Sequence, residues 1–87
     1  NKYNENIINS FNKNNSTFFE IEFETHQTIK IEIYNLNGKK VVEIFNGLSN
    51  IGINHWKINH SNISSGIYFI QVKTPLKIFS DKFTVLN

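Results

Sequence analysis

The chain has 87 residues, 39% of them hydrophobic, and carries a formal charge of +2 from nine lysines set against six Glu and one Asp. That length holds one domain, burying about 60–65% of its unfolded surface. Arginine and cysteine are absent and the lysines are scattered singly apart from Lys39-Lys40, which argues against nucleic-acid binding and excludes both a disulfide framework and a thiolate metal site.

In chain order, the polar start Asn1-Lys2-Tyr3-Asn4-Glu5-Asn6 lacks the apolar stretch of a secretory signal, so export would need a signal upstream in a longer precursor. No apolar run is long enough to span a bilayer, and membrane insertion is not expected. Residues 1–15 read as a linker leading into a short edge strand, and 16–87 as a β-sandwich domain. From Thr17 the alternation is clear: Phe19, Ile21 and Phe23 point one way, Glu20, Glu22 and Glu24 the other. After a turn at Thr25-His26-Gln27, Ile29, Ile31 and Ile33 alternate with Thr28, Lys30, Glu32 and Tyr34, predicting a second half-buried strand.

Asn35-Leu36-Asn37-Gly38 is a hairpin signal, because Asn-Gly supplies the positive φ angles of a primed turn. The next strand covers about Lys39–Asn46, with Val42 and Ile44 favoured inward. A loop follows, then a strand at about Ile53–Asn59 with Trp56 and Ile58 inward and His55 and Lys57 outward. Beyond the turn at Gly66, Ile67, Phe69 and Val72 are assigned to the core, and Tyr68 and Gln71 face away. Pro75 breaks the chain before a last strand, about Leu76–Leu86, with Ile78, Phe83 and Val85 inward. Six to seven short strands spaced roughly 8–12 residues apart predict an all-β, immunoglobulin-like antiparallel sandwich.

Reactive chemistry is hard to find. His26, His55 and His60 do not converge on one strand face, and they read as solvated or turn histidines. Glu20, Glu22 and Glu24 stand some 7 Å apart along a strand, too far to share a cation, and read as a solvated face that discourages edge aggregation. No serine sits in a G-x-S-x-G elbow, and Asp81 has no histidine partner for a hydrolytic triad. No catalytic, metal or cofactor-binding residue is assigned.

Two segments carry a resemblance. Ile29-Lys30-Ile31-Glu32-Ile33-Tyr34-Asn35-Leu36-Asn37-Gly38-Lys39 and Ile63-Ser64-Ser65-Gly66-Ile67-Tyr68-Phe69, followed by a basic residue (Lys77 or Lys82) before the last strand, resemble the type A C-terminal sorting domain of the type IX secretion system of Bacteroidetes. The similarity covers roughly residues 7–87; Ser10 stands where the family usually has Pro, Asn12-Lys13-Asn14-Asn15 reads as a small insertion, and Trp56 replaces a smaller aliphatic residue.

The resemblance implies an immunoglobulin-like sandwich that acts as a non-catalytic address. It implies an attached cargo protein, recognition by the outer-membrane translocon, and removal by a sortase-like protease cutting somewhere in residues 1–15. The route would run through the periplasm to the cell surface or medium. Tyr34, Tyr68 and Lys82 are the recognition candidates, with both rings expected on outer faces, while Gly38 and Gly66 serve the turns. Two other classes fit the composition. One is an adhesion or carbohydrate-binding sandwich, which needs Phe18, Tyr34 and Tyr68 coplanar on one outer face. The other is a structural spacer, such as the immunoglobulin-like part of a flagellar hook-capping protein.

Overall fold

Alternating side chains become seven strands in the computed structural model, which describes residues 8–86: β1 (Ile8–Lys13), β2 (Ser16–Phe23), β3 (Thr28–Asn35), β4 (Lys40–Leu48), β5 (Gly52–Asn59), β6 (Gly66–Lys73) and β7 (Ile78–Val85), with one 3-10 turn at His60–Asn62. They form two antiparallel sheets, ordered β1-β2-β5 and β4-β3-β6-β7. The all-β sandwich expected from the sequence is the observed fold. Of the segment read as a linker, residues 1–7 lie outside the described residues, and Ile8–Lys13 is paired along β2.

The core is where the two alternating strands meet. Phe19, Ile21 and Phe23 of β2 pack with Ile29, Ile31 and Ile33 of β3, and Ile70, Val72, Phe83 and Val85 close the layer. Each fully buried side chain of this kind contributes about 1.5–3 kcal/mol relative to exposure.

Turn chemistry differs from the expectation. Asn14 and Asn15 have φ of 52° and 61° and join Lys13 to its pairing partner Ser16, so the primed two-residue hairpin lies here rather than at Asn37-Gly38. Asparagine tolerates this left-handed backbone better than any residue except glycine. Between β3 and β4 only Gly38 has positive φ (80°); Gly38 N–H donates to the Asn35 carbonyl at 3.0 Å, and Asn35 N–H donates to the Lys39 carbonyl at 3.0 Å. That is a three-residue loop with glycine at its left-handed position. Asn35 Oδ1 holds it by accepting from the N–H groups of Asn37 and Lys39.

Strand faces also differ where both phases are apolar. On β6, Tyr68, Ile70 and Val72 are buried, while Ile67 is exposed and Phe69 and Gln71 are half-buried. Tyr68 pairs with Phe83 of β7, which fixes the inward phase. On β7, Ile78 is exposed because the inward phase runs through Phe79, Phe83 and Val85. β4 carries two irregularities against β3, skipping Val41 and Ile44. They bring Ile44 and Phe45 together to the core margin, and Val42 stays 36% exposed. On β5, Trp56 and Ile58 do face inward, Trp56 only half-buried.

Candidate functional site

The outer face of the four-stranded sheet brings two of the three recognition candidates, Tyr34 and Lys82, together. Lys40 pairs with Tyr34, Tyr34 with Phe69, and Phe69 with Lys82, forming one row across all four strands. With strands about 4.8 Å apart, Tyr34 and Lys82 stand roughly 10 Å from each other. A shallow groove of about 350 Å³ follows, lined by Tyr34, Leu36, Gly38, Phe69, Gln71 and Ser80. Gly38 therefore shapes this groove as well as the turn: a Cβ on it would meet nothing, but its φ disfavours any other residue.

The neighbouring row contains Glu32, a carboxylate only 3% exposed. Its Oε2 lies 3.3 Å from Lys40 Nζ and its Oε1 3.4 Å from Lys73 Nζ, while the Tyr34 hydroxyl donates to Oε1 at 3.0 Å. Burial by itself would raise the Glu32 pKa; the hydrogen bonds from Tyr34, Lys40 and Lys73, with the Lys73 charge, outweigh it and hold the group below its ordinary 4.5. Glu32 thus ties β3 to both neighbouring strands and orients Tyr34. Sequence reading placed Glu32 among solvated residues, and no local signal marked it, because Lys40 and Lys73 come from other strands.

Tyr68 stands on the opposite face and corrects the outward expectation. It is 7% exposed, its ring stacks on Phe83 at 5.9 Å, and Phe83 meets Phe19 of the other sheet edge-on at 5.1 Å. Its hydroxyl donates to the Ser64 carbonyl at 2.7 Å, the back-bonded geometry of a tyrosine corner. Gly66, with φ of 155°, starts the strand just before it. Phe18 lies on the outer face of the three-stranded sheet, stacked on Phe11 at 5.3 Å, with Lys57 Nζ 5.8 Å from its ring. Phe18, Tyr34 and Tyr68 consequently occupy three different surfaces and form no aromatic row.

The histidines are apart. His26 Nδ1 donates to the Ser49 carbonyl at 2.9 Å, and His55 lies 3.7 Å from Glu20 on the surface. His60 is a turn residue but a buried one: Thr17 donates its hydroxyl proton to Asn12 Oδ1, and its oxygen accepts from His60 Nε2 at 2.6 Å. Together with His60 N–H donating to the Asn15 carbonyl, this clasps the first hairpin to the turn after β5. Among the described residues no group of three or more His, Cys, Asp or Glu side chains could hold a metal ion. No helix among them is long and apolar enough to cross a membrane.

Among known families, the one described as the secretion system C-terminal sorting domain matches residues 13–86, from the end of β1 through β7. No curated protein and no solved structure matches the chain. Domains of that family are sorting signals, generally non-catalytic, whose presence implies an attached cargo and export to the cell surface or beyond. The chain belongs to the secretion system C-terminal sorting domain family, the sorting tail of type IX secretion.

Proposed function

We propose that this domain directs an attached cargo protein across the outer membrane as a folded address read by the type IX translocon, and is then removed by a sortase-like protease cutting ahead of the sandwich. The observation that carries this reading is the extent of the family match, which spans nearly every strand of the sandwich and both motif segments. The cargo passes through the periplasm and ends on the cell surface or in the medium. The row Lys40–Tyr34–Phe69–Lys82 is the contact surface, with Gly38 shaping the groove beside it. Tyr68 and Gly66 serve by keeping the sheet that carries this row in shape.

Residues 1–87 fused behind a periplasmic reporter, in a Bacteroidetes host that has this system, should bring the reporter outside the cell. Retention in the periplasm, where a known sorting domain sends the same reporter out, would overturn the proposal. Tyr34→Ala and Lys82→Glu should both reduce export; Lys82→Glu should leave the thermal midpoint nearly unchanged, and Tyr34→Ala, which also gives up the hydroxyl bond to Glu32, should lower it by less than Tyr68→Ala does.

A further inference from the structure

The two sides of the sandwich are finished differently. On one side the edge strands are β1 and β7. Asp81 of β7 sits opposite buried Ile70, in the core-facing phase, yet is exposed, and its carboxylate accepts from the Lys82 N–H at 2.8 Å. A charge placed there repels an added strand.

On the other side the edges are β4 and β5, and here, among the described residues, the three-stranded sheet stops one strand short. Val42 lies in the core phase of β4, opposite fully buried Ile33, but is 36% exposed. Phe83 and Val85, in the same phase of β7, are 6% and 0% exposed. A cleft of about 370 Å³ opens between β4 and β5, with apolar walls from Val42, Ile44, Ile58 and Ile63 and polar ones from Glu43, Lys57, Asn59 and Asn62. β4 is irregular at two points, whereas β5 pairs with β2 along its whole length without a bulge. The β5 edge is therefore the straight template; no strand among the described residues pairs with it on that side, and the position beside it adjoins Val42, Ile44, Ile58 and Ile63.

The chemistry of the missing strand follows from its neighbours. Its inward residues would meet Val42, Ile44, Ile58 and Ile63 across the cleft, which favours apolar side chains there. Its outward residues would stand beside exposed Ile53 as well as His55 and Lys57, and the two basic side chains favour carboxylates. β2 shows part of the pattern on the other flank of β5, where Glu20 faces His55 and Phe19 faces Trp56, while Lys57 faces the Phe18 ring. Pairing of β5 with a second copy of itself is disfavoured in the antiparallel registers centred on residues 55 to 57, which set His55 and Lys57 against one another or against themselves.

We propose that the β5 edge takes up an extended segment of a partner protein with alternating apolar and acidic residues, completing a four-on-four sandwich by strand addition. This stands independently of which protein supplies the segment and of the export reading.

The probe is a synthetic peptide with the sequence of residues 17–24, Thr-Phe-Phe-Glu-Ile-Glu-Phe-Glu, added to the 87-residue chain. Trp56 is the sole tryptophan and lies half-buried on β5 beside Phe45, at 5.3 Å, so its emission reports changes at that strand. Saturable change in that emission, with new hydrogen-exchange protection of β5 amides and none along β7, is the expected result. The double variant His55→Glu/Lys57→Glu should bind about three- to tenfold more weakly, the size of two cross-strand charge pairs, and should prefer a peptide with Lys in place of Glu. Unchanged Trp56 emission, protection at β7 instead, equal binding of the Lys peptide by the wild-type chain, or self-association of the free chain through β5 would each overturn the proposal.

Discussion

Tyr34 and Tyr68 lie in adjoining strands, each in one of the two family-motif segments, yet they do opposite things. Tyr34 is half-exposed on the outer face and spends its hydroxyl on Glu32, while Tyr68 is buried between the sheets and returns its hydroxyl to the chain four residues upstream. In the pairing of β3 with β6, Tyr34 sits opposite Phe69 and Asn35 opposite Tyr68, so the two rings fall on opposite faces. A shared residue type in a family motif therefore does not imply a shared role. One tyrosine belongs to the surface and its charges, the other to the core and its aromatic stack.

The sharpest test of that contrast is truncation. Tyr68→Ala should destabilise the fold by about 3–5 kcal/mol, as for a buried aromatic ring. Tyr34→Ala should lose well under half of that, since its ring is partly in water. Chemical denaturation of both variants measures the difference, and equal losses would break the comparison. Gly66→Ala comes next. At φ of 155° an added side chain meets only the Tyr68 ring, at 3.8 Å, so the penalty is backbone strain. About 1–3 kcal/mol is expected, read as a lowered thermal midpoint.

The strands that could be read from the sequence are those with one polar face. β2 and β3 alternate Phe or Ile with charged and polar residues, and their inward sets were legible to the residue. β4, β6 and β7 carry apolar side chains in both phases, as in Val41-Val42, Ile67-Tyr68-Phe69-Ile70 and Ile78-Phe79. There the face is chosen by a cross-strand partner far along the chain, such as Phe83 for Tyr68 or Ile33 for Val42. The same limit hid part of the candidate site. Tyr34, Gly38 and Lys82 were legible as surface or turn residues, but Glu32 looks solvated until Lys40 and Lys73 arrive from other strands to bury it. The primed turn was assigned to Asn37-Gly38 on its residues, whereas Asn14-Asn15 takes that conformation because exactly two residues separate paired Lys13 and Ser16.

Glu32 supplies the next test, on the Tyr34 side. Glu32→Gln leaves Lys40 and Lys73 without their counter-charge and should destabilise the protein by about 1–3 kcal/mol at neutral pH. The effect should depend on pH in a definite direction. The folded-state pKa lies below the ordinary 4.5, so the carboxylate's contribution is fully present above that value and is lost as pH falls through the lowered one. Denaturant titrations from pH 7 to pH 3 should therefore show the gap between wild type and Glu32→Gln closing at the acid end. A gap that stays constant, or widens in acid, would show that Glu32 matters only through its shape.

The smallest effect belongs to Tyr34→Phe, and it separates the hydroxyl from the ring. The ring keeps its place in the row between Lys40 and Phe69, so only the 3.0 Å hydrogen bond to Glu32 is lost. About 0.5–1.5 kcal/mol of stability should go with it at neutral pH. That hydrogen bond stabilises the charged form of Glu32, so removing it must raise the folded-state pKa toward the unfolded one. The pH-dependent part of Glu32's contribution then shrinks, and its loss is centred at a higher pH. A carbon-detected NMR titration of the Glu32 carboxylate should accordingly show a midpoint above wild type in Tyr34→Phe and an unmoved one in Tyr68→Phe, whose hydroxyl bonds a carbonyl on the other face. A shift of the Glu32 midpoint in Tyr68→Phe would mean that the two faces are coupled through β6, and that the division of labour between the two tyrosines is wrong.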